Sequence, residues 1–148
     1  MADIKLDGLT VASSSGSPTV VNLDSDVASR ITAKGIAKAW VCFNGGSVAG
    51  SGTTMTGVVS SYNVTSVHDN GGTTGNYTVV FAANTFSDEN YTCVRNGVNT
   101  GAGFAQYYCG FVSQTSSQTR FLTGYPTNFS GTTTNSDTTR VELVAFGS

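Results

Sequence analysis

The run Ala37-Lys38-Ala39-Trp40-Val41-Cys42-Phe43-Asn44-Gly45 leads into Tyr62-Asn63-Val64-Thr65-Ser66-Val67-His68-Asp69-Asn70-Gly71-Gly72 and then Gly75-Asn76-Tyr77-Thr78-Val79-Val80-Phe81. This stretch, which closes at Asp88-Glu89-Asn90-Tyr91-Thr92, decides the fold class. Short alternating runs are separated by Gly, Asn, Ser and Thr. A period of two marks strands, and such runs in series read as consecutive antiparallel strands.

Working outward, Ala37, Ala39, Val41 and Phe43 share one face of the first strand, with Lys38, Trp40 and Cys42 on the other. Neither face is strongly polar, which predicts a central strand covered on both sides. Asn44 to Gly57 reads as a Gly/Ser/Thr loop. Tyr62 to Val67 reads as one strand, joined through a hairpin at His68 to Gly75 to a partner at Tyr77 to Phe81. That connection is rich in residues that tolerate positive φ.

Further strands are expected at Tyr91–Arg95, Gln106–Ser113 and Thr119–Tyr125, with loops at Asn96–Gly103 and Pro126–Asp137. The last strand, Thr139 to Phe146, sets Val141, Leu143 and Ala145 against Arg140, Glu142, Val144 and Phe146. Apolar groups on its outward face predict that another sheet or another chain covers it. About eight or nine strands with a turn every ten or so residues favour an all-β antiparallel β-sandwich over a barrel.

Residues 1–36 read differently and are assigned to an N-terminal arm or attachment segment, with the sandwich domain spanning 37–148. Ile4, Leu6, Leu9 and Val11 are spaced like a strand broken at Gly8, and Thr19 to Leu23 suits another. Asp24 to Ile31 carries a helix-like pattern. Residues Met1 to Thr10 hold charges and no apolar run suited to a signal peptide, so synthesis in a cytoplasm is expected.

Composition narrows the function classes. Only 11% of residues are charged and the net charge is −2. Nucleic acid and anionic membranes need a concentrated basic face, so neither is an expected partner. Gly accounts for 18 residues, and the polar surface is built from hydroxyls and amides. The three cysteines, Cys42, Cys93 and Cys109, form no CxxC pair and read as free thiols. A Cys93–Cys109 bridge stays open if their strands are neighbours.

Catalytic patterns are sparse. His68 is the only histidine and adjoins Asp69, which suggests either a base–orienter pair or a polar turn. Asp69, Asp88, Glu89 and Asp137 are the acids from which a glycosidase pair would be drawn. Asp69-Asn70-Gly71-Gly72 offers a few oxygen ligands for calcium, fewer than a site requires. No cofactor, metal or catalytic residue is assigned. Tyrosines beside Asn/Ser/Thr/Gly loops suit a binding surface, since Tyr supplies rigid contact area with a polar tip. Tyr107, Tyr125, Asn128 and Phe129 are the candidate binding residues, with Tyr125 and Phe129 expected to be exposed.

The motifs Lys38-Ala39-Trp40-Val41, Phe43-Asn44-Gly45, Tyr62 to Val67, Asp69-Asn70-Gly71, Gly75 to Val79 with Phe81, Ser87 to Tyr91 and Val141 to Gly147 occur in that order. Together they resemble a C-terminal β-domain of tail-fibre and related structural proteins of tailed bacteriophages, chiefly marine and cyanobacterial ones. Cys42, Asn76 and Val80 depart from the family's Asn, Asp and Asn. The resemblance implies a non-enzymatic virion component, often trimeric, located on the tail or capsid surface. It would meet a host-surface glycan or protein and bind other virion proteins through residues 1–36. The alternatives are a capsid-decoration or head-fibre protein, or a stand-alone carbohydrate-binding module.

Overall fold

The computed structural model describes residues 3–6, 9–15, 20–23, 36–50, 55–70, 73–98, 108–126 and 133–147. The chain divides into two compact units, Met1–Ile36 and Ala37–Ser148. In the first, β1 (Asp3–Leu6), β2 (Leu9–Ser15) and β3 (Val20–Leu23) form an antiparallel sheet in that order. What reads in sequence as one strand broken at Gly8 is thus a hairpin, with Leu6 opposite Leu9. The helix-like pattern at Asp24 to Ile31 lies outside the described residues.

The second unit is the expected antiparallel sandwich. One sheet has the order β5-β4-β12-β8, from β4 (Ala39–Phe43), β5 (Val58–Tyr62), β8 (Thr92–Val98) and β12 (Arg140–Phe146). The other contains β6 (Val64–Asp69), β7 (Asn76–Phe81), β9 (Tyr108–Thr115), β10 (Gln118–Pro126) and β11 (Thr133–Asn135). There β6 pairs with β7 and β7 with β10. β9 takes the other edge of β10, and β11 continues the β7 side along residues 124–126.

Alternation decides which faces meet. Ala39, Val41 and Phe43 of β4 and Val141, Leu143 and Ala145 of β12 point inward, against Val67, Tyr77, Val79, Phe81 and Phe121 of the opposite sheet. The Phe43 ring meets Tyr77 edge-on at 5.2 Å, joining the sheets at the core's centre. A second cluster has Phe86 stacked on Tyr91 at 4.2 Å, with Phe81 edge-on to both. Gly45 follows β4 because a Cβ there would collide with the Tyr77 hydroxyl and stand 2.8 Å from the Thr138 carbonyl.

Several expectations are corrected. The single strand Tyr62–Val67 is two strands in different sheets, because Asn63 adopts φ 53 and turns the chain through a corner. Its Nδ2 donates to Lys38 O at 2.8 Å and its carbonyl accepts from Ala82 N at 2.9 Å. The β6–β7 connection begins at Asn70 rather than His68, since the ladder runs on to Asp69 opposite Tyr77. The loop Pro126–Asp137 contains β11. β4 is central within its sheet, yet its outer face is open: Trp40 is 37% exposed.

Candidate functional site

The outer face of the four-stranded sheet is the most unusual surface among the described residues. Cross-strand register places Tyr62 beside Trp40, Trp40 beside Val144 and Val144 beside Val94. These four side chains make one apolar row across all four strands. Tyr62 is 53% and Val94 60% exposed. The adjacent row is polar, running Ser60, Cys42, Glu142 and Asn96 by the same pairings. Arg140 forms an ion pair with Glu142 at its edge, 2.5 Å apart, and Asn96 Nδ2 lies 3.5 Å from the same carboxylate. A shallow hollow of about 390 Å³ sits over this boundary, bordered by Trp40, Cys42, Ser60, Arg140, Glu142 and Val144.

Contiguous apolar groups of this kind mark an interaction surface, whereas singly scattered ones do not. Locally the row follows from parity: if Val41 and Leu143 point inward, Trp40 and Val144 must point outward.

The candidate binding residues fare differently. Tyr107, Asn128 and Phe129 lie outside the described residues. Tyr125 is not in an exposed loop: it is half-buried in β10, opposite Thr134 of β11. The short return strand draws it into the sheet. Tyr77 and Tyr91 are buried and spend their hydroxyls internally, Tyr77 on Asp137 at 2.9 Å and Tyr91 on the carbonyls of Thr115 and Gln118. Burial first, then the Asp137 bond and charge, raises the Tyr77 hydroxyl above its ordinary range. Tyr62 is the tyrosine that joins the exposed row.

The titratable groups assemble in ways that sequence proximity misstates. His68 and Asp69 are consecutive on β6, so their side chains take opposite faces and form no base–orienter pair. Asp69 is buried with Oδ1 unpartnered; desolvation, followed by the charge of Asp137, raises its carboxyl pKa. Asp137 accepts from Gly75 N at 2.6 Å as well as from Tyr77. Asp88 caps Asn90 N at 2.7 Å. The Asn70 amide is clamped to Asn76 and Thr78, and no group of three or more His, Cys, Asp or Glu that could hold a metal occurs among the described residues.

Arg95 is the residue that sequence reading passed over. Its cross-strand partner is core Leu143, so it points between the sheets. The guanidinium lies over Phe111 and Phe121 at 5.7 and 5.6 Å and donates to Thr119 Oγ1 at 2.7 Å, while Nε is buried unpartnered. Arg95 also separates the two thiols that might have bridged. Cys109 Sγ sits over Gly97. Cys93 is four residues earlier on β8, about 13 Å along a strand, beyond the span of a disulfide. Both are free.

No family model matches the chain, and no curated protein or solved structure matches it either.

Proposed function

We propose that this chain is a non-enzymatic structural subunit of a tailed-phage particle. Three copies pack the outer faces of their four-stranded sheets around a common axis, residues 1–36 attach to other particle proteins, and the loops meet the host surface. The observation that carries the reading is the Tyr62–Trp40–Val144–Val94 row: four apolar side chains in register, of which Tyr62, Trp40 and Val94 are exposed in the single chain and Val144 is half-buried between them. A second copy of the chain suits that face because it carries an apolar centre with one cation and one anion, Arg140 and Glu142, at its margin. Such a face complements itself without like-charge conflict. The motifs that resemble the phage family support the same reading, since Lys38–Phe43 and Val141–Phe146 supply the two central strands of that sheet.

Light scattering at micromolar concentration is the test. The expected mass is three chains; a monomer would overturn the assembly and with it the main support for the function.

A further inference from the structure

The four-stranded sheet ends in two edges, β5 and β8, each bonded to one neighbouring strand among the described residues. We infer that β8 of each copy lies antiparallel beside β5 of the next, so that three such sheets close into one three-sided prism. The inference rests on the assembly proposed above and deepens it, because packing faces about an axis does not by itself bring edges together or say which edges meet.

The chemistry of the two edges favours their meeting. An edge strand directs alternate N–H and C=O groups away from its sheet, and Lys or Pro commonly keeps such edges apart. Neither residue occurs in β5 or β8. β5 carries no charge at all, and Arg95, the one charge on β8, is turned between the sheets, over Phe121 and onto Thr119. The charges Arg140 and Glu142 stand instead on central β12. Exposure follows the same pattern. Val59 of β5 is 75% exposed and Val98 of β8 41%, in addition to Tyr62 and Val94, whereas Val144 in the middle is half-buried. Contact between face centres alone would leave these marginal apolar groups in water.

Direction and dimensions agree. Each neighbouring pair in this sheet is antiparallel, so β5 and β8 run in opposite senses. A three-fold axis along the strands preserves sense and joins unlike edges, which makes the junction antiparallel; an isologous contact would join β8 to β8 or β5 to β5. Continuing the apolar row across the junction sets Val94 beside Tyr62 of the next copy and Val98 beside its Val59. Val59 occupies the bulge of β5, opposite the Cys42–Phe43 step, and a bulge bends its strand as a corner requires. Strands spaced about 4.8 Å apart give four-stranded sides about 19 Å wide, which places each sheet about 5.5 Å from the axis. That is close to half the roughly 10 Å between packed sheets, so three apolar rows meet at ordinary core distance. Sides of three or five strands would stand about 4 or about 7 Å away, too close or too far.

The test is photo-crosslinking of the full chain with benzoylphenylalanine at position 98 and, in a separate variant, at position 60. Light and heavy isotope-labelled chains are mixed so that links between copies are recognised by mass. Position 98 is expected to link to the β5 segment of another copy and position 60 to its β8 segment. A second pair of variants reads the same junction by charge. Val98→Lys with Val59→Glu in one chain is expected to keep the three-chain mass in light scattering, and Val98→Lys with Val59→Lys to lose it. In a three-chain assembly, links that join β8 to β8 or β9 of another copy, no link between copies, or equal masses for the two charge variants would each overturn the junction and leave the assembly standing. A single-chain mass for the unsubstituted protein would overturn both.

Discussion

The hydroxyl of Tyr77 donates a 2.9 Å hydrogen bond to the carboxylate of Asp137, sixty positions away in the chain. The same carboxylate oxygen accepts from Gly75 N at 2.6 Å. Tyr77 is fully buried, with its ring against Phe43 and Phe121. One carboxylate therefore ties the segment before β12 to the turn before β7 and to the centre of the core. Tyr77→Phe should lower unfolding free energy by about 1–2 kcal/mol, and Asp137→Ala by about 2–3 kcal/mol because it strands two donors. Urea midpoints measure both, and equal effects would contradict this ranking.

Asp69 sets a pH dependence whose sign follows from its environment. Burial, then the nearby charge of Asp137, raises its pKa above the ordinary carboxylate value. The folded state then binds the proton more tightly than the unfolded chain does, so this group's contribution to stability declines as pH rises through the interval between the two values. Ionised Asp69 is thus a burden at neutral pH. Asp69→Asn should stabilise at pH 7, and its advantage should shrink on acidification through that interval. Urea titrations at several pH values would show a pH-independent difference if the argument fails.

Asn63 is a corner that other side chains fill poorly. A left-handed conformation costs an ordinary residue about 1–2 kcal/mol, and the lost bond to Lys38 O adds about 1 kcal/mol. Asn63→Ala should therefore cost about 2–3 kcal/mol. Asn63→Gly should cost less, because glycine restores the backbone conformation without restoring the bond. Thermal unfolding of the pair distinguishes strain from hydrogen bonding.

The outer row separates association from folding. Val94→Glu and Tyr62→Glu place charge at exposed positions, so each should change stability by less than about 0.5 kcal/mol in the single chain. Both should shift the scattering mass towards one chain. A variant that keeps the three-chain mass would remove this face from the interface.

The cysteines should all be free. Burial, partly offset by Arg95, pushes the Cys93 thiol up to about 11 from its ordinary 9.0. At pH 8 that leaves about a hundred-fold fewer thiolates, so alkylation of Cys93 in the native protein should be slower by a similar factor than in urea. Intact mass without reductant should show three alkylatable thiols after unfolding. A Cys93–Cys109 bridge would contradict the placement of these residues along β8 and β9.

The alternating pattern alone determined much of this fold. Val41, Phe43, Tyr77, Val79, Phe81, Val141 and Leu143 face inward as their parity requires, because side-chain direction along a strand is a local property with period two. The expected apolar outward face of the last strand is present at Val144 for the same reason. The corner at Asn63 was not legible, since Asn enters the left-handed region at little cost and leaves the flanking alternation intact. Nor was the half-buried setting of Tyr125, expected to be exposed, which the late return of β11 draws into the sheet.

Only the tertiary structure decided which residues share a surface. The Tyr62–Trp40–Val144–Val94 row depends on register between strands far apart in the chain, and register is set by ladders and turns that no single strand encodes. The pairing of Tyr77 with Asp137 arises in the same way, from segments brought together by the packing of two sheets. Periodicity reports a side chain's direction; its neighbours across the sheet and between the sheets follow from how the hydrophobic faces close on one another.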